Sequence, residues 1–353
     1  MNMSIKWFII SGAALGMLAA FLVYAGNPGN MGICAACFLR DTSGAFGFHR
    51  VESLQYLRPE IMGLVLGGFL ASLFWTKEFA PKSSPMAFSH FFLGIFAMIG
   101  ALVFLGCPWR AFLRLGGGDM TAIAGVLGLG GGVLIGMFFK RKGYVVQEGL
   151  PISKSIGILP VIFCIALLLA LIFGLKFDNG AFFSSSKGPA SQHASILFSL
   201  FASIIIGILM HKSKFCSVGA LSKAFRGDFS MFWGIIAIII GASVVNLALG
   251  QYHFGFTSQP IAHNDIVWNF LGMVLAGLCL SLSEGCPGKH LVQMGTGNLT
   301  SAIFIIGMIA GGAIAHNFLL ASSPAGITAF APWAVGLGFI VAIYIGISNK
   351  QRI

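Results

Sequence analysis

Charge is what this 353-residue chain lacks most: Asp, Glu, Lys and Arg together make 9% of it, where a soluble globule carries about 25%. It has 57% hydrophobic residues, a mean hydropathy of +0.91 and several apolar runs near 20 residues. Such runs cross roughly 30 Å of hydrocarbon, so the pattern excludes soluble enzyme folds and points to a multispanning membrane protein. A second CxxC is missing and the eight histidines show no metal-ligand spacing, so no metal site is expected. No Gly-rich phosphate loop stands behind a strand, so neither a nucleotide-binding domain nor a cofactor is expected, and ATP-driven transport would need a separate subunit. The net charge of +11 does not point to nucleic acid, because Lys and Arg fall in short connections rather than on one face. No clear small-residue cleavage site follows the first apolar run, Trp7 to Ala25, which is expected to remain as a helix.

What is present is an all-α polytopic pattern. Apolar windows predict ten spans, near 6–25, 60–76, 88–106, 119–139, 156–176, 194–211, 230–250, 265–283, 298–320 and 332–348. If all ten cross, the connections on the side of the N-terminus hold 14 of the 21 Lys and Arg residues. The other side holds Arg40, Arg50, Arg58, Arg110, Arg114, Lys176 and Lys187, and the two-to-one bias predicts both termini in the cytoplasm. Span 60–76 is the weakest of the ten.

Glycine and cysteine are the informative residues. The 48 glycines are about twice the usual share, and membrane helices use glycine to approach closely or to break. Gly125, Gly128, Gly130 to Gly132 and Gly136 read as tight-packing positions. Four connections, 26–41, 106–118, 211–228 and 284–297, are partly apolar, contain Gly and each hold cysteine. They are expected to enter the interior as half-helices near 30–41, 107–117, 214–226 and 286–296. Non-helical backbone at that depth is tolerated only where protein buries it or it lines a cavity.

The four pieces pair through an internal repeat. Gly106-Cys107-Pro108-Trp109-Arg110 recurs 179 residues later as Gly285-Cys286-Pro287-Gly288-Lys289, and at the same offset Gly116, Gly118, Asp119 and Thr121 align with Gly295, Gly297, Asn298 and Thr300. Cys34 and Cys216 pair at an offset of 182. Residues 1–176 and 177–353 thus read as two pseudo-symmetric repeats, the second inverted because an odd number of spans separates equivalent elements.

In each Gly-Cys-Pro the proline suits the first helical position, cysteine falls at the N-cap, and glycine is expected to free the turn. About eight helical residues make roughly 12 Å, less than half a crossing. The open amides and positive end of such a helix stabilise an anion or a thiolate. Cys164 and Cys279 have no such setting and read as packing residues. Cys34-Ala35-Ala36-Cys37 has the spacing of a redox pair, although Cys37 aligns with Gly219 in the other half. Arg110 and Lys289 are candidates as charges near membrane depth, with snorkelling to the interface as the alternative. Glu284 sits just before the second motif. Asp119 and Asn298 are expected to cap the helices that follow, and His316 to hydrogen-bond a neighbouring helix.

These paired motifs resemble the YeeE/YedE family of sulfur-transport membrane proteins over nearly the whole chain. The segment Gly26-Asn27-Pro28-Gly29-Asn30-Met31-Gly32-Ile33-Cys34-Ala35-Ala36-Cys37-Phe38-Leu39-Arg40-Asp41 is most similar to the branch associated with selenium metabolism. The resemblance implies an hourglass fold in a prokaryotic inner membrane, uptake of thiosulfate or a selenium species, and a TusA- or YedF-like cytoplasmic carrier. It also implies a thiol relay on Cys107 and Cys286, and on Cys34 and Cys216. The expected function is therefore a non-enzymatic importer of a small sulfur- or selenium-containing anion. Its substrate-binding residues would be Cys34, Cys37, Cys107, Cys216, Cys286, Gly106, Pro108, Gly285, Pro287, Arg110 and Lys289. The alternatives are a membrane thiol-disulfide oxidoreductase using Cys34 and Cys37, and a scaffold with packed cysteines.

Overall fold

Every apolar window folds as a helix, and every cysteine-bearing connection contains a short one. The computed structural model describes residues 3–77, 79–175 and 182–349; Lys176, Lys350, Arg352 and the expected boundary between the repeats lie outside them. In chain order the helices are α1 (Met3–Tyr24), α2 (Ala35–Ala45), α3 (Pro59–Phe74), α4 (Ala87–Phe104), α5 (Pro108–Gly116), α6 (Ala122–Arg141), α7 (Lys154–Gly157) and α8 (Leu159–Ile172). They continue as α9 (Ile196–Ser213), α10 (Ser217–Ala224), α11 (Phe232–Ala248), α12 (Ile266–Leu282), α13 (Pro287–Gly295), α14 (Leu299–Asn317) and α15 (Ala331–Ser348). Among the described residues, eight helical stretches are long and apolar enough to cross a membrane; α3 and α11 are shorter apolar helices of 16 and 17 residues. The protein is an all-α polytopic membrane protein.

Helices from the two halves of the chain pack reciprocally. Helix α1 lies along α11 as α9 lies along α3, and α4 lies along α14 as α12 lies along α6. Glycine makes these seams close. A Cβ on Gly12 or Gly16 would enter the α11 backbone, and one on Gly63 or Gly67 would enter Ser203 or the α9 backbone. Small residues at such seams let dispersion and backbone contacts replace the hydrophobic drive that lipid removes. On α6, Gly128 and Gly132 abut the α12 backbone, whereas Gly130 and Gly131 have room for a side chain, so the tight-packing expectation fails at those two. Helices α8 and α15 stand outside the reciprocal pattern, α8 on α3 and α13, α15 on α4, α12 and α6.

The first half-helix starts at Ala35 rather than near 30, and runs on to Ala45. Left-handed backbone at Asn30 (φ 59°) and Gly32 (φ 43°), and φ 123° at Gly26, keep the preceding stretch out of a helix. Asn27 pins it: its Nδ2 donates to the Gly32 carbonyl at 2.9 Å and to Glu60 Oε1 at 2.8 Å, and its Oδ1 accepts from the Ala194 amide at 2.9 Å.

One local device precedes all four half-helices. The residue two positions before each N-cap cysteine is left-handed: Gly32, Leu105 (φ 64°), Lys214 (φ 53°) and Glu284 (φ 62°). This corrects the reading of Gly106 and Gly285 as the flexible points, because neither has positive φ. They are glycines for lack of room: a Cβ would fall 2.8 Å from Arg110 Cδ and 2.7 Å from His290 Nε2. Three of the four left-handed positions are not glycine, at a cost of roughly 1–3 kcal/mol each. Lys214 is exposed and can be tested without disturbing the core. Lys214→Gly is expected to raise the thermal midpoint in detergent and Lys214→Val to lower it; equal midpoints would show that the turn tolerates other conformations.

Candidate functional site: two thiol clusters between half-helices

Helix α2 touches α13, and α5 touches α10, so the four half-helices meet. Their N-caps are Cys34, Cys107, Cys216 and Cys286, with Pro108 and Pro287 at the first helical position of α5 and α13. All seven cysteines are free and buried, but they occupy three settings.

The first cluster joins Cys34, Cys37 and Cys107. The Cys34 and Cys37 sulfurs are 2.8 Å apart, against about 2.05 Å for a disulfide, and Cys34 is 3.8 Å from Cys107. The Cys37 amide donates to the Cys34 sulfur at 3.3 Å. The second cluster joins Cys216 and Cys286, whose amide donates to the Cys216 sulfur at 3.4 Å. Cys164 lies within α8 and Cys279 within α12, away from the half-helix N-caps.

Arg110 sits fully buried at the first cluster, which excludes snorkelling for it. Its guanidinium donates to Cys37 Sγ at 3.3 Å, to the carbonyls of Asn30 at 3.0 Å and Ile261 at 2.9 Å, and to the Leu105 carbonyl. Among the described residues no carboxylate forms an ion pair with it. The other buried arginines do have carboxylates. Asp41 accepts from Arg40 at 2.7 Å and from Arg58 at 2.8 Å, and Asp119 accepts from Arg114 at 2.6 Å. Four arginines counted from the sequence among the charges of the connections are therefore interior groups.

The carbonyls at the end of α4 explain the two arginines of α5. A helix leaves its last carbonyls without intrahelical partners and carries a negative dipole end there. Arg110 takes Leu105, Arg114 takes Phe104 at 3.0 Å, and His263 Nε2 donates to Val103 at 2.8 Å. Burial pushes His263 below its ordinary pKa. The neutral ring then donates from Nε2 while Nδ1 accepts from the Asp265 amide at 3.3 Å.

Lys289 occupies the matching place in α13, and its Nζ donates to the Glu284 carbonyl at 2.6 Å as Arg110 does to Leu105. It is only half-buried and opens on a cavity of about 360 Å³ shared with Lys82, His211, Lys214 and Phe215. A cavity of about 210 Å³ beside Asn30 and Gly32 is lined also by Asn246 and Gln251. Phe215 of the first cavity packs against Gly234 near the start of α11, and Asn246 of the second lies near its end; the 17-residue helix is about 26 Å long. The two thiol clusters thus adjoin cavities at opposite ends of the bundle.

Other expectations need correction. Glu284 is exposed and pairs with Lys140 at 3.0 Å. Asp119 stands two positions before Thr121, the N-cap of α6, and holds the start of that helix: its Oδ1 accepts from the Thr121 amide at 3.0 Å while its Oδ2 pairs with Arg114; Asn298 caps α14, accepting from the Ser301 amide at 3.1 Å. His316 has no hydrogen bond at Nε2 and instead lies 4.7 Å from the His49 ring. Sequence reading missed His290, which bridges Ser301 at 3.1 Å and Ser283 at 3.3 Å, and Trp109, whose ring fills the space above Gly288. The second was visible as Trp facing Gly at one repeat position.

This arrangement defines a class: a polytopic membrane protein whose helix breaks bring buried thiols and a buried cation together. Over residues 212–342, which hold Cys216 and Cys286, the chain matches the family model for sulphur transport. No curated protein matches it.

The buried ion pairs predict a stability effect. Asp41→Ala strands Arg58, whose remaining partners are the Pro189 and Gln192 carbonyls. A loss of about 3–5 kcal/mol is expected, read as a lower denaturation midpoint in detergent. An unchanged midpoint would mean that the carbonyls suffice.

Proposed function

We propose that the protein carries a small sulfur- or selenium-containing anion across the membrane, passing it between the two thiol clusters. The observation that carries this reading is Arg110, a buried guanidinium with thiol and carbonyl partners and no ion-paired carboxylate among the described residues. An uncompensated interior charge is expensive, and an anion at the thiols supplies its counter-charge. Lys289, Lys82 and Lys214 offer positive potential at the other cluster. The match to the sulphur transport family supports the class of cargo.

In this reading the S–H groups of Cys34, Cys37, Cys107, Cys216 and Cys286 hydrogen-bond the anion in turn, aided by amides at the half-helix N-termini. No bond to the cargo is made or broken, and the protein is not an enzyme. Thiosulfate and a selenium oxyanion or reduced selenium species are the candidate ions. The reciprocal packing supports two inverted repeats. The buried arginines sharpen the charge bias: removing Arg40, Arg58, Arg110 and Arg114 from the seven leaves Arg50, Lys176 and Lys187 on that side. This supports cytoplasmic termini in a prokaryotic inner membrane. The Lys-lined cavity would then open to the cytoplasm, where a TusA- or YedF-like carrier receives the cargo.

The contact of Cys34 with Cys37 favours a second reading, a membrane dithiol that gives up two electrons and two protons to an acceptor. Alkylation mapping during turnover separates the two, since only the redox reading requires a Cys34–Cys37 disulfide that comes and goes.

Uptake of labelled thiosulfate and selenite into proteoliposomes is the decisive assay. Cys107→Ala and Cys286→Ala are expected to lower uptake by about tenfold or more while eluting as folded protein. Full uptake by either variant would overturn the relay.

A further inference from the structure

Between the two thiol clusters lies a residue that the relay does not use. Trp109 follows Cys107 and Pro108 into α5, and its side chain is 1% exposed. The carbons Cζ2, Cη2 and Cζ3 of its ring occupy the place where a Cβ on Gly288 would stand. Gly288 is the equivalent position two residues past Cys286. One copy of the motif thus supplies a large ring and the other the notch that receives it. Cζ2 lies on the same edge of the indole as Nε1, and Nε1 is buried without a hydrogen-bond partner. Ser217 Oγ, next to Cys216 at the N-terminus of α10, is also buried without one. An unmade hydrogen bond at a buried donor costs about 1–3 kcal/mol, and buried indole N–H groups ordinarily find an acceptor.

We propose that Trp109 is the specificity-determining barrier of the pathway: its ring, seated on Gly288, closes the line between the clusters, and its N–H donates to the anion as it passes. This rests on the transport reading above and adds what selects the cargo. The indole N–H is a donor only, so at its Nε1 edge the barrier offers a hydrogen bond to an anion and no lone pair to a cation. Because the ring carries no charge, it does not add to the hold of Arg110 on the anion. The waiting acceptor is the oxygen or the terminal sulfur or selenium of the cargo, and Ser217 is a second donor at the far cluster.

Two variants separate the ring from its N–H. Trp109→Phe keeps a ring and removes the donor; thiosulfate uptake into proteoliposomes is expected to fall about tenfold, with chloride and sulfate still excluded. Trp109→Ala removes the barrier and is expected to admit chloride or sulfate. Wild-type thiosulfate uptake by Trp109→Phe would overturn the donor role, and unchanged exclusion by Trp109→Ala the barrier role. A cargo-independent readout covers failure of the transport reading itself: labelling of Cys286, as the single cysteine, by an impermeant maleimide applied from the face of the Asn30 cavity. Labelling is expected only without the ring, in Trp109→Ala, or when Gly288→Ala displaces it. Labelling of the otherwise unaltered single-cysteine protein, or of none of the variants, would overturn the barrier. If Trp109→Ala does not fold, Gly288→Ala tests the same contact from the other side.

Discussion

The site depends on a positive charge held deep in the protein with no ion-paired carboxylate among the described residues. Arg110 is tolerated there because the end of α4 offers it a carbonyl, the loops at Asn30 and Ile261 offer two more, and a thiol takes the remaining direction. These partners are dipoles, so they solvate the guanidinium without neutralising it. Arg114, one turn on, shows the contrast: Asp119 cancels it, and it serves as a structural tie between α4, α5 and the start of α6. Two arginines four residues apart on one half-helix therefore have different electrostatic consequences, decided by a single carboxylate.

Around that charge the backbone is arranged to bring helix starts together. A left-handed residue two positions ahead of each cysteine turns the chain so that the next helix begins inside the bundle. The turn leaves amides near sulfur and makes the cysteine the cap. Only the Cys34 sulfur accepts a capping hydrogen bond from its own helix, and cysteine is a weak acceptor and a weak donor, so the helix ends stay open to a better partner. The position just before each cysteine sets the character of the break. Phe215 and Ile33 stand where Gly106 and Gly285 stand in the other pair, and only the glycine pair must make room for a side chain five or fewer residues ahead.

Much of this was legible in the sequence. Ten apolar windows correspond to ten helices because a span must be continuously apolar and about as long as the hydrocarbon is thick. The four half-helices were legible from cysteine placed before a short Gly-bounded run, and proline located the start of α5 and α13 closely. The start of α2 was misplaced because Gly26 to Gly32 reads as a partly apolar stretch, while its conformation is set by Asn27 binding residues far along the chain. The left-handed Leu105, Lys214 and Glu284 carry no signal at all, since tertiary packing imposes what glycine would announce. Ion pairing was equally hidden: Asp41 meets Arg58 across 17 positions, and nothing local distinguishes it from a loop acid. The fit of Trp109 to Gly288 was written in the aligned motifs, but only the contact turns a mismatch between copies into a complementary pair.

The glycine seams bear on how such a protein can move. Each joins a helix from one half of the chain to a helix from the other, with backbone against backbone at Gly12, Gly16 and Gly67. Rocking one half against the other would have to part four such seams at once, exposing peptide groups that lipid cannot solvate. The scaffold is therefore interlocked, like clasped fingers; α13 is held too, with Gly295 against the Val65 carbonyl and Gly68 against the Val292 carbonyl, so under the proposed transport the motion that admits cargo falls to what no seam restrains, an indole leaving its notch.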